Sequence, residues 1–81
     1  MDVFLRKKLL WRMLRHRWIG GKHTDIRNLR KGFTRSRYGE VDAEIRRLAT
    51  ERLLSLKPTF YGLHVSLDPA RLGEVKNELG L

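Results

Sequence analysis

Side chains that bind phosphate are concentrated in one segment of the sequence, from Lys22 to Tyr38. Guanidinium and ammonium groups neutralise phosphate oxygens and release counterions from a polyanion, so a dense run of them favours binding to nucleic acid. We predict phosphate contacts from the six cations of this segment, Lys22, Arg27, Arg30, Lys31, Arg35 and Arg37. Asn28 and Tyr38 lie among them, and their amide and aromatic ring are suited to hydrogen bonding or stacking with bases.

Further polar side chains are candidates for the same surface. His23 and Thr24 precede a predicted short helix whose free amides attract phosphate, although an ordinary N-cap is the simpler interpretation of Thr24. In a predicted hairpin, four polar residues alternate with apolar ones and share one face, namely Lys57, Thr59, Tyr61 and His64. A secondary basic stripe lies opposite the predicted apolar side of the first helix and consists of Lys8, Arg12 and Arg15.

The net charge is unevenly distributed along the chain. The 81 residues include 18 Lys and Arg against 9 Asp and Glu, a formal charge of +9. Residues 1–39 hold twelve cations and two acids, or +10, whereas residues 40–81 hold six cations and seven acids, or −1. A uniform excess would indicate a generally solvated surface, but an excess confined to one half indicates a face that docks on a polyanion.

The sequence argues against several other classes of function. It has no cysteine, which excludes disulfides, thiolate zinc sites and iron–sulfur clusters. His16, His23 and His64 are spread over separate predicted elements, so we expect no metal site. Without a nucleophile motif or a glycine-rich phosphate loop, we predict neither enzyme activity nor a cofactor or small-molecule substrate. No apolar run approaches the roughly 20 residues that span a bilayer, which predicts a cytoplasmic protein.

The apolar pattern predicts a single domain over residues 1–81, of the α+β class and mainly α. A first helix over residues 2–18 places six apolar residues on one broad side, and we predict these to be core: Val3, Phe4, Leu10, Trp11, Leu14 and Trp18. Trp18 and Ile19 then suit a short extended piece before Gly20. A second, short helix starts at Thr24 and ends at Gly32.

The second half of the chain predicts a helix, a hairpin and a closing helix. The third helix runs from about Glu40 to Leu53, and its inward residues are Val41, Ile45, Leu48 and Ala49. Alternation over Leu54–Lys57 and Leu63–Leu67 is typical of half-buried strands. Asp68 and Pro69 suit the cap and first turn of a last helix, about ten residues long.

This order of elements is that of a winged helix-turn-helix domain, with a three-helix body, a two-stranded β wing and a C-terminal helix. On Lys22–Gly32 and Lys57–Pro69, the sequence resembles small basic winged-helix proteins of archaea, and the resemblance extends over nearly the whole chain. It implies that the third helix enters the major groove of DNA, while the wing contacts the backbone or the minor groove.

The third helix departs from that pattern because it carries four acids beside three arginines, the acids being Glu40, Asp42, Glu44 and Glu51. Carboxylates beside phosphate oxygens are unfavourable, so we expect binding mainly through phosphates, from the Lys22–Tyr38 segment and the wing. The first hypothesis is therefore a non-enzymatic nucleic-acid-binding protein resembling a transcription regulator, with DNA favoured over RNA.

A second hypothesis is an adaptor that binds a protein or a ribonucleoprotein through the mixed-charge third helix and the basic segment. Pairing with a second copy, through the first or the last helix, is left open by the sequence. A membrane partner is not expected, because the apolar side of the first helix is needed as core.

Overall fold

The computed structural model describes residues 2–81, which form an α+β fold of helices and a three-stranded antiparallel sheet. The α-helices within this range are α1 (Val3–Arg15), α2 (Arg27–Arg30), α3 (Tyr38–Thr50) and α4 (Leu72–Glu78). The strands are β1 (Thr24–Asp25), β2 (Leu54–Thr59) and β3 (Gly62–Leu67). Short 3-10 turns, Arg35–Arg37 and Pro69–Arg71, lead into α3 and α4.

The predicted hairpin is confirmed, but it belongs to a larger sheet with the strand order β1-β3-β2. Val65 of β3 lies opposite Leu56 on one side and opposite Thr24 on the other. The expectation that Thr24 caps α2 is wrong, because Thr24 lies in β1 and Asp25 instead accepts the backbone N–H of Arg27 at 2.8 Å. A strand of two residues is too short to show alternation, yet it satisfies the free backbone edge of β3.

Helix α1 and the turn after it bury only part of the side predicted to be core: Leu10 is buried and Leu14 and Trp18 pack against the core, but Val3 is 52% exposed. The buried residues of α1 include Leu5, Leu9, Leu10 and Met13, whereas Phe4 is 87% exposed and Trp11 is 47% exposed. The apolar residues of this helix lie on more than one side. The prediction chose the side with the large aromatic rings, whereas the fold buries mainly the side with the smaller residues. Two exposed aromatic side chains therefore remain on the solvent side of α1.

The chain after α1 turns sharply and joins the sheet. Arg17 has a φ of 57°, which ends α1 at Arg15, three residues earlier than predicted. The backbone N–H of Leu67 then donates to the carbonyl of Trp18 at 2.8 Å, and the N–H of Gly20 donates to Leu67 at 2.9 Å. This confirms the predicted extended piece at Trp18–Ile19 and fixes Trp18 close to the end of α1.

The predicted inner side of α3 is confirmed, since Val41, Ile45 and Leu48 are completely buried. They pack in one core with Leu29 of α2 and with further buried residues of α1, the sheet and α4. The four-residue helix α2 therefore depends on Leu29 to hold it against the rest of the domain. The predicted closing helix is also confirmed, with Asp68 accepting the N–H of Ala70.

An ion cluster around the buried side chain of Arg6 joins α1 to α3 and α4. The guanidinium of Arg6 bonds Glu51 and Glu78, with the shortest N–O distance to each at 2.6 Å, and lies 3.6 Å from Glu44. These carboxylates raise the pKa of Arg6 above its usual value, mainly through the hydrogen bonds to Glu51 and Glu78. Glu44, which is only 1% exposed, also contacts Arg47. Two of the four acids of the third helical segment, Glu44 and Glu51, thus pair with arginines of the same chain.

Candidate nucleic-acid interface

Ion pairing within the chain leaves a large surplus of cations. Within residues 2–81, eight of the nine carboxylates form ion pairs with six arginines, and the ninth, that of Asp68, caps the turn before α4. Of the 18 Lys and Arg, twelve therefore lack a carboxylate partner in this part of the chain. The internal pairs neutralise the acids, so the net charge of +9 is carried by these remaining cations.

Several of the unpaired cations surround a groove between α1 and α2. This α1–α2 groove has a volume of about 420 Å³ and is lined by Arg12, Arg15, His16, Trp18, Asn28 and Lys31. A smaller depression of about 120 Å³ shares Arg12 and Arg15 and continues along α1 to Lys8 and Trp11. The secondary basic stripe predicted from the sequence therefore lies beside part of the Lys22–Tyr38 segment.

Arg12 is held in place by the end of α2. Its Nη1 donates to the carbonyl oxygens of Leu29 at 3.2 Å and Lys31 at 2.6 Å, where the helix leaves carbonyls without helical partners. The ring of half-buried Phe33 gathers cations around the same region, with Lys8 Nζ 4.8 Å from its centroid and the Arg12 guanidinium 5.9 Å away. These contacts position Lys8 and Arg12 without neutralising them.

Aromatic and amide groups complete the groove. The rings of His16 and Trp18 stack with centroids 4.6 Å apart and an angle of 13° between their planes. Asn28 donates from Nδ2 to the hydroxyl of Thr24 at 2.8 Å, which fixes the orientation of the amide. Because that bond uses one N–H, the carbonyl oxygen and the second N–H of Asn28 are available for a ligand.

A second polar cluster lies on the sheet. His23 and His64 face each other with 2.7 Å between their Nδ1 atoms, and Asp25 and Lys57 flank His64 in the neighbouring strands. The guanidinium of Arg27 donates two hydrogen bonds to Asp25, at 3.0 and 2.9 Å. These bonds, followed by the one from the backbone N–H of Arg27, lower the pKa of Asp25 to about 2. In this cluster Asp25 neutralises Arg27 and the two histidines bond each other, whereas the cations of the α1–α2 groove have no carboxylate partner within residues 2–81.

The hairpin end presents its aromatic residues to solvent. Phe60 and Tyr61 form the turn, are both almost completely exposed and meet edge to face at 5.4 Å. The hydroxyl of Thr59 is less available, because it donates to the carbonyl of Gly62 at 2.6 Å. The predicted polar face of the wing therefore divides into a free tip and residues engaged in the chain's own hydrogen bonds.

Three of the six cations predicted to contact phosphate have carboxylate partners. Arg27 pairs with Asp25, Arg30 pairs with Asp42, and Arg37 pairs with Asp2 and Glu40. Lys22, Lys31 and Arg35 are exposed and lack such a partner within residues 2–81. Among them, Lys31 lines the groove.

Two other residues predicted for the interface, Tyr38 and Thr24, do not line the groove. Tyr38 begins α3 and is half-buried under the guanidinium of Arg30, 5.4 Å from its ring centroid. Thr24 is 7% exposed, and its hydroxyl accepts from Asn28, so the predicted phosphate site at its helix start does not form. Arg12, Arg15, Asn28 and Lys31 are the predicted residues that the fold brings together around one groove.

The sequence interpretation missed two residues of the groove, His16 and Trp18. Trp18 was predicted to be core, and it does pack against the core, but its ring also forms part of the groove wall. In the sequence, the only indication that His16 and Trp18 act together is their spacing of two residues, directly after Arg12 and Arg15 at the end of a helix. This spacing does not by itself predict a contact, because the two rings stack only through the turn at Arg17.

Comparisons with protein-family models, with curated proteins and with solved structures gave no match to this chain. Within residues 2–81, no three His, Asp or Glu side chains come together in a group that could hold a metal ion. In the same range, each helix is too short or too polar to cross a lipid bilayer.

Proposed function

We propose that the protein is a non-enzymatic nucleic-acid-binding protein of winged helix-turn-helix architecture, with DNA as the favoured partner. The observation that carries this proposal is the division of charge: eight of the nine carboxylates pair with arginines of the same chain, and the cations without such a partner in residues 2–81 include a connected row along α1 and the end of α2. That row consists of Lys8, Arg12, Arg15 and Lys31. A polyanion releases counterions at each such cation, which makes phosphate binding favourable without a specific base contact.

The order of the helices and the hairpin supports the winged-helix assignment. In this assignment α2 and α3 form the helix-turn-helix, β2 and β3 form the wing, and β1 adds a third strand on the far side of β3. The element order, the basic surface and the exposed aromatic tip of the wing are each compatible with nucleic acid as the partner.

The arrangement moves the proposed phosphate contacts toward α1. Arg27, Arg30 and Arg37 are held by carboxylates, whereas Arg15 and Lys31 flank the groove without one in the described chain. The wing contributes Lys57 and the exposed Tyr61 as secondary contacts. The proposed interface is therefore centred on the α1–α2 groove, with the wing as an additional contact.

The adaptor hypothesis receives less support from the charges of α3. It requires acids that are presented to a partner, but Glu44 is buried and Glu40, Asp42 and Glu51 all form ion pairs. A protein partner would compete with these arginines for the carboxylates. Nucleic acid meets no such competition, because the cations of the groove have no carboxylate partner in the described chain.

The test is a pair of double charge reversals with the same change in net charge. R15E/K31E alters the groove, whereas R52E/K76E alters two exposed cations that neither line the groove nor have a carboxylate partner in residues 2–81. Arg12 is left unchanged because it supports α2. Binding of a labelled duplex of mixed sequence, measured by fluorescence anisotropy at several salt concentrations, gives the affinity of each variant.

We expect R15E/K31E to weaken binding by about tenfold or more, and R52E/K76E to weaken it much less. The slope of log K against log salt should be steeper than about −2 for the unaltered protein and shallower for R15E/K31E. Equal losses in the two variants would show that the groove is not the interface. A salt-independent affinity, or no binding at low salt to either the duplex or a single strand of the same length, would overturn the proposal itself.

A further inference from the structure

We propose that the α1–α2 groove receives an unpaired nucleotide, so that the protein prefers single-stranded or looped nucleic acid over a regular duplex. This inference rests on the proposed function and specifies its substrate class. The geometry that leads to it is a stacked aromatic pair inside a row of cations, a combination that phosphate binding alone does not require.

The volume of the groove suits one nucleotide. At about 420 Å³ it falls within the range of sites for small organic ligands. A duplex presents its phosphates and the edges of its bases, but the base faces are hidden by stacking. A single strand exposes base faces, which can enter such a depression and contact an aromatic ring.

The His16–Trp18 stack provides that ring surface. Trp18 is half-buried against the core and so cannot move freely, and exposed His16 lies nearly parallel to it. Stacking on a fixed aromatic surface loses little conformational entropy, and it tolerates every base because each has a π face. Arg15 lies on the same helical end as His16 and is placed to contact the phosphate of the stacked nucleotide.

Asn28 supplies hydrogen-bonding groups for the edge of the base. Its Nδ2 already donates to Thr24, so the side chain is oriented before a ligand binds. The remaining carbonyl oxygen and N–H are the pair of groups that an amide offers to a base edge. Stacking gives the affinity in this arrangement, and the amide adds a preference among bases.

The smaller depression extends the same pattern along α1. Trp11 is half-exposed between Lys8, Arg12 and Arg15, and it lies one helical turn, or ~6 Å, before Arg15. An aromatic ring therefore follows the groove at a short distance, again with cations on both sides. A single strand passing along α1 would meet two aromatic surfaces within one basic track.

The experiment uses the W11F variant, in which Trp18 is the only tryptophan and its fluorescence reports on the groove. The probes are a thymidine dodecamer, a uridine dodecamer, an abasic dodecamer with the same number of phosphates, a mixed-sequence duplex of the same length and a glutamate dodecapeptide. Affinity is measured by anisotropy, and occupancy of the groove is measured by quenching of Trp18. H16A in the W11F background tests the stack without disturbing the core.

We expect the single strands with bases to quench Trp18 and to bind about tenfold more tightly than the abasic strand and the duplex. H16A should reduce this preference while leaving the salt dependence of binding unchanged. The thymidine and uridine strands distinguish DNA from RNA as the source of the nucleotide, and quenching by either supports the inference.

Equal affinity for the abasic strand, or for the duplex, would overturn the inference, as would quenching of Trp18 by the glutamate peptide. Salt-dependent binding of all the nucleic-acid probes without quenching of Trp18 would leave the proposed function standing and remove only the base site. Absence of binding to every probe would remove both.

Discussion

The Nδ1 atoms of His23 and His64 lie 2.7 Å apart, so one imidazole donates a hydrogen bond that the other accepts. His23 precedes β1 and His64 is central in β3, and the bond therefore connects side chains across the first strand pair. Asp25 lies 3.9 Å from the other ring nitrogen of His64, with Lys57 opposite in β2 and Arg27 on the carboxylate of Asp25. Partial desolvation, followed by the charges of Lys57 and His64, lowers the pKa of His23.

This pair predicts a loss of stability on mild acidification. As the pH falls through the ordinary histidine value of 6.5, the unfolded chain takes up a proton at His23 before the folded chain does. The contribution of His23 to the free energy of unfolding is therefore full above that pH and is lost as the pH falls toward the lower folded value. Urea denaturation at about pH 7.5 and about pH 5 measures the loss.

Asp25 does not account for a change in this range. Its pKa is lowered from 3.8 to about 2, so its stabilising contribution is present above 3.8 and disappears only as the pH falls from there to about 2. H23Q should remove much of the loss between about pH 7.5 and about pH 5, whereas H16Q should retain it. If H23Q and the unaltered protein lose the same free energy, the histidine pair is not responsible.

A second prediction concerns Arg6, which pairs with Glu44 of α3, with Glu51 directly after α3 and with Glu78 of α4. Arg6→Met removes the cation from a site where Glu44 is almost completely buried, and one oxygen of Glu44 already has no hydrogen-bond partner within residues 2–81. We expect a loss of about 3 kcal/mol in the free energy of unfolding, because an insufficiently compensated carboxylate remains buried. Chemical denaturation gives this value directly.

The matched control for Arg6 is Arg71→Met, which breaks the more exposed pair with Glu74. Its expected cost is below about 1 kcal/mol, as is usual for surface ion pairs. Adding Glu44→Leu to Arg6→Met should recover part of the loss, since the buried charge is then removed as well. A double variant that is less stable than Arg6→Met alone would contradict this explanation.

The sequence predicted those parts of the fold in which neighbouring residues follow a regular pattern. Val41, Ile45 and Leu48 repeat at helical spacing, and the hairpin alternates with a period of two, so both could be assigned locally. The inner side predicted for α1 was right at Leu10 but wrong at Phe4 and Trp11, because apolar residues surround much of this helix and only the positions of α3 and the sheet decide which of them face the core.

The sequence predicted which residue types form the candidate site, but not how the fold arranges them. Arg27, Arg30 and Arg37 look equivalent to Lys31 in the sequence, and they differ because carboxylates distant along the chain reach two of them, Asp42 for Arg30 and Asp2 for Arg37. The stack of His16 on Trp18 depends on the left-handed backbone at Arg17, which sequence spacing does not reveal. Local pattern identifies the cations, and tertiary contacts select those that remain free.

A third prediction compares a buried apolar residue of α2 with an exposed one of α1. Leu29→Ala should cost about 2–5 kcal/mol, because it leaves a cavity at the completely buried residue that holds α2. Phe4→Ala should change the free energy of unfolding by less than about 0.5 kcal/mol, because the ring is exposed. A large loss in Phe4→Ala, measured by urea denaturation, would show that the ring is part of the core after all.

The last prediction concerns Gly20, where the chain leaves α1 and meets the sheet. Its φ of 59° is unfavourable for other residues, and an added Cβ would lie 3.0 Å from Cγ of Pro69. The backbone cannot easily shift to relieve this contact, because the N–H of Gly20 donates to Leu67 at 2.9 Å. We therefore expect Gly20→Ala to lower the free energy of unfolding by about 1–2 kcal/mol.

Gly73→Ala is the matched control, because the same substitution is expected to raise the free energy of unfolding there rather than lower it. Gly73 lies in α4, and a Cβ added there meets no atom within 4 Å in the described chain. Alanine favours the helix and restricts the unfolded chain, so this variant should gain about 0.5 kcal/mol. Thermal and urea unfolding of the two variants side by side separate a steric and conformational cost at Gly20 from a general response to alanine. If both variants moved in the same direction, the close approach between Gly20 and Pro69 would not be what requires glycine at that turn.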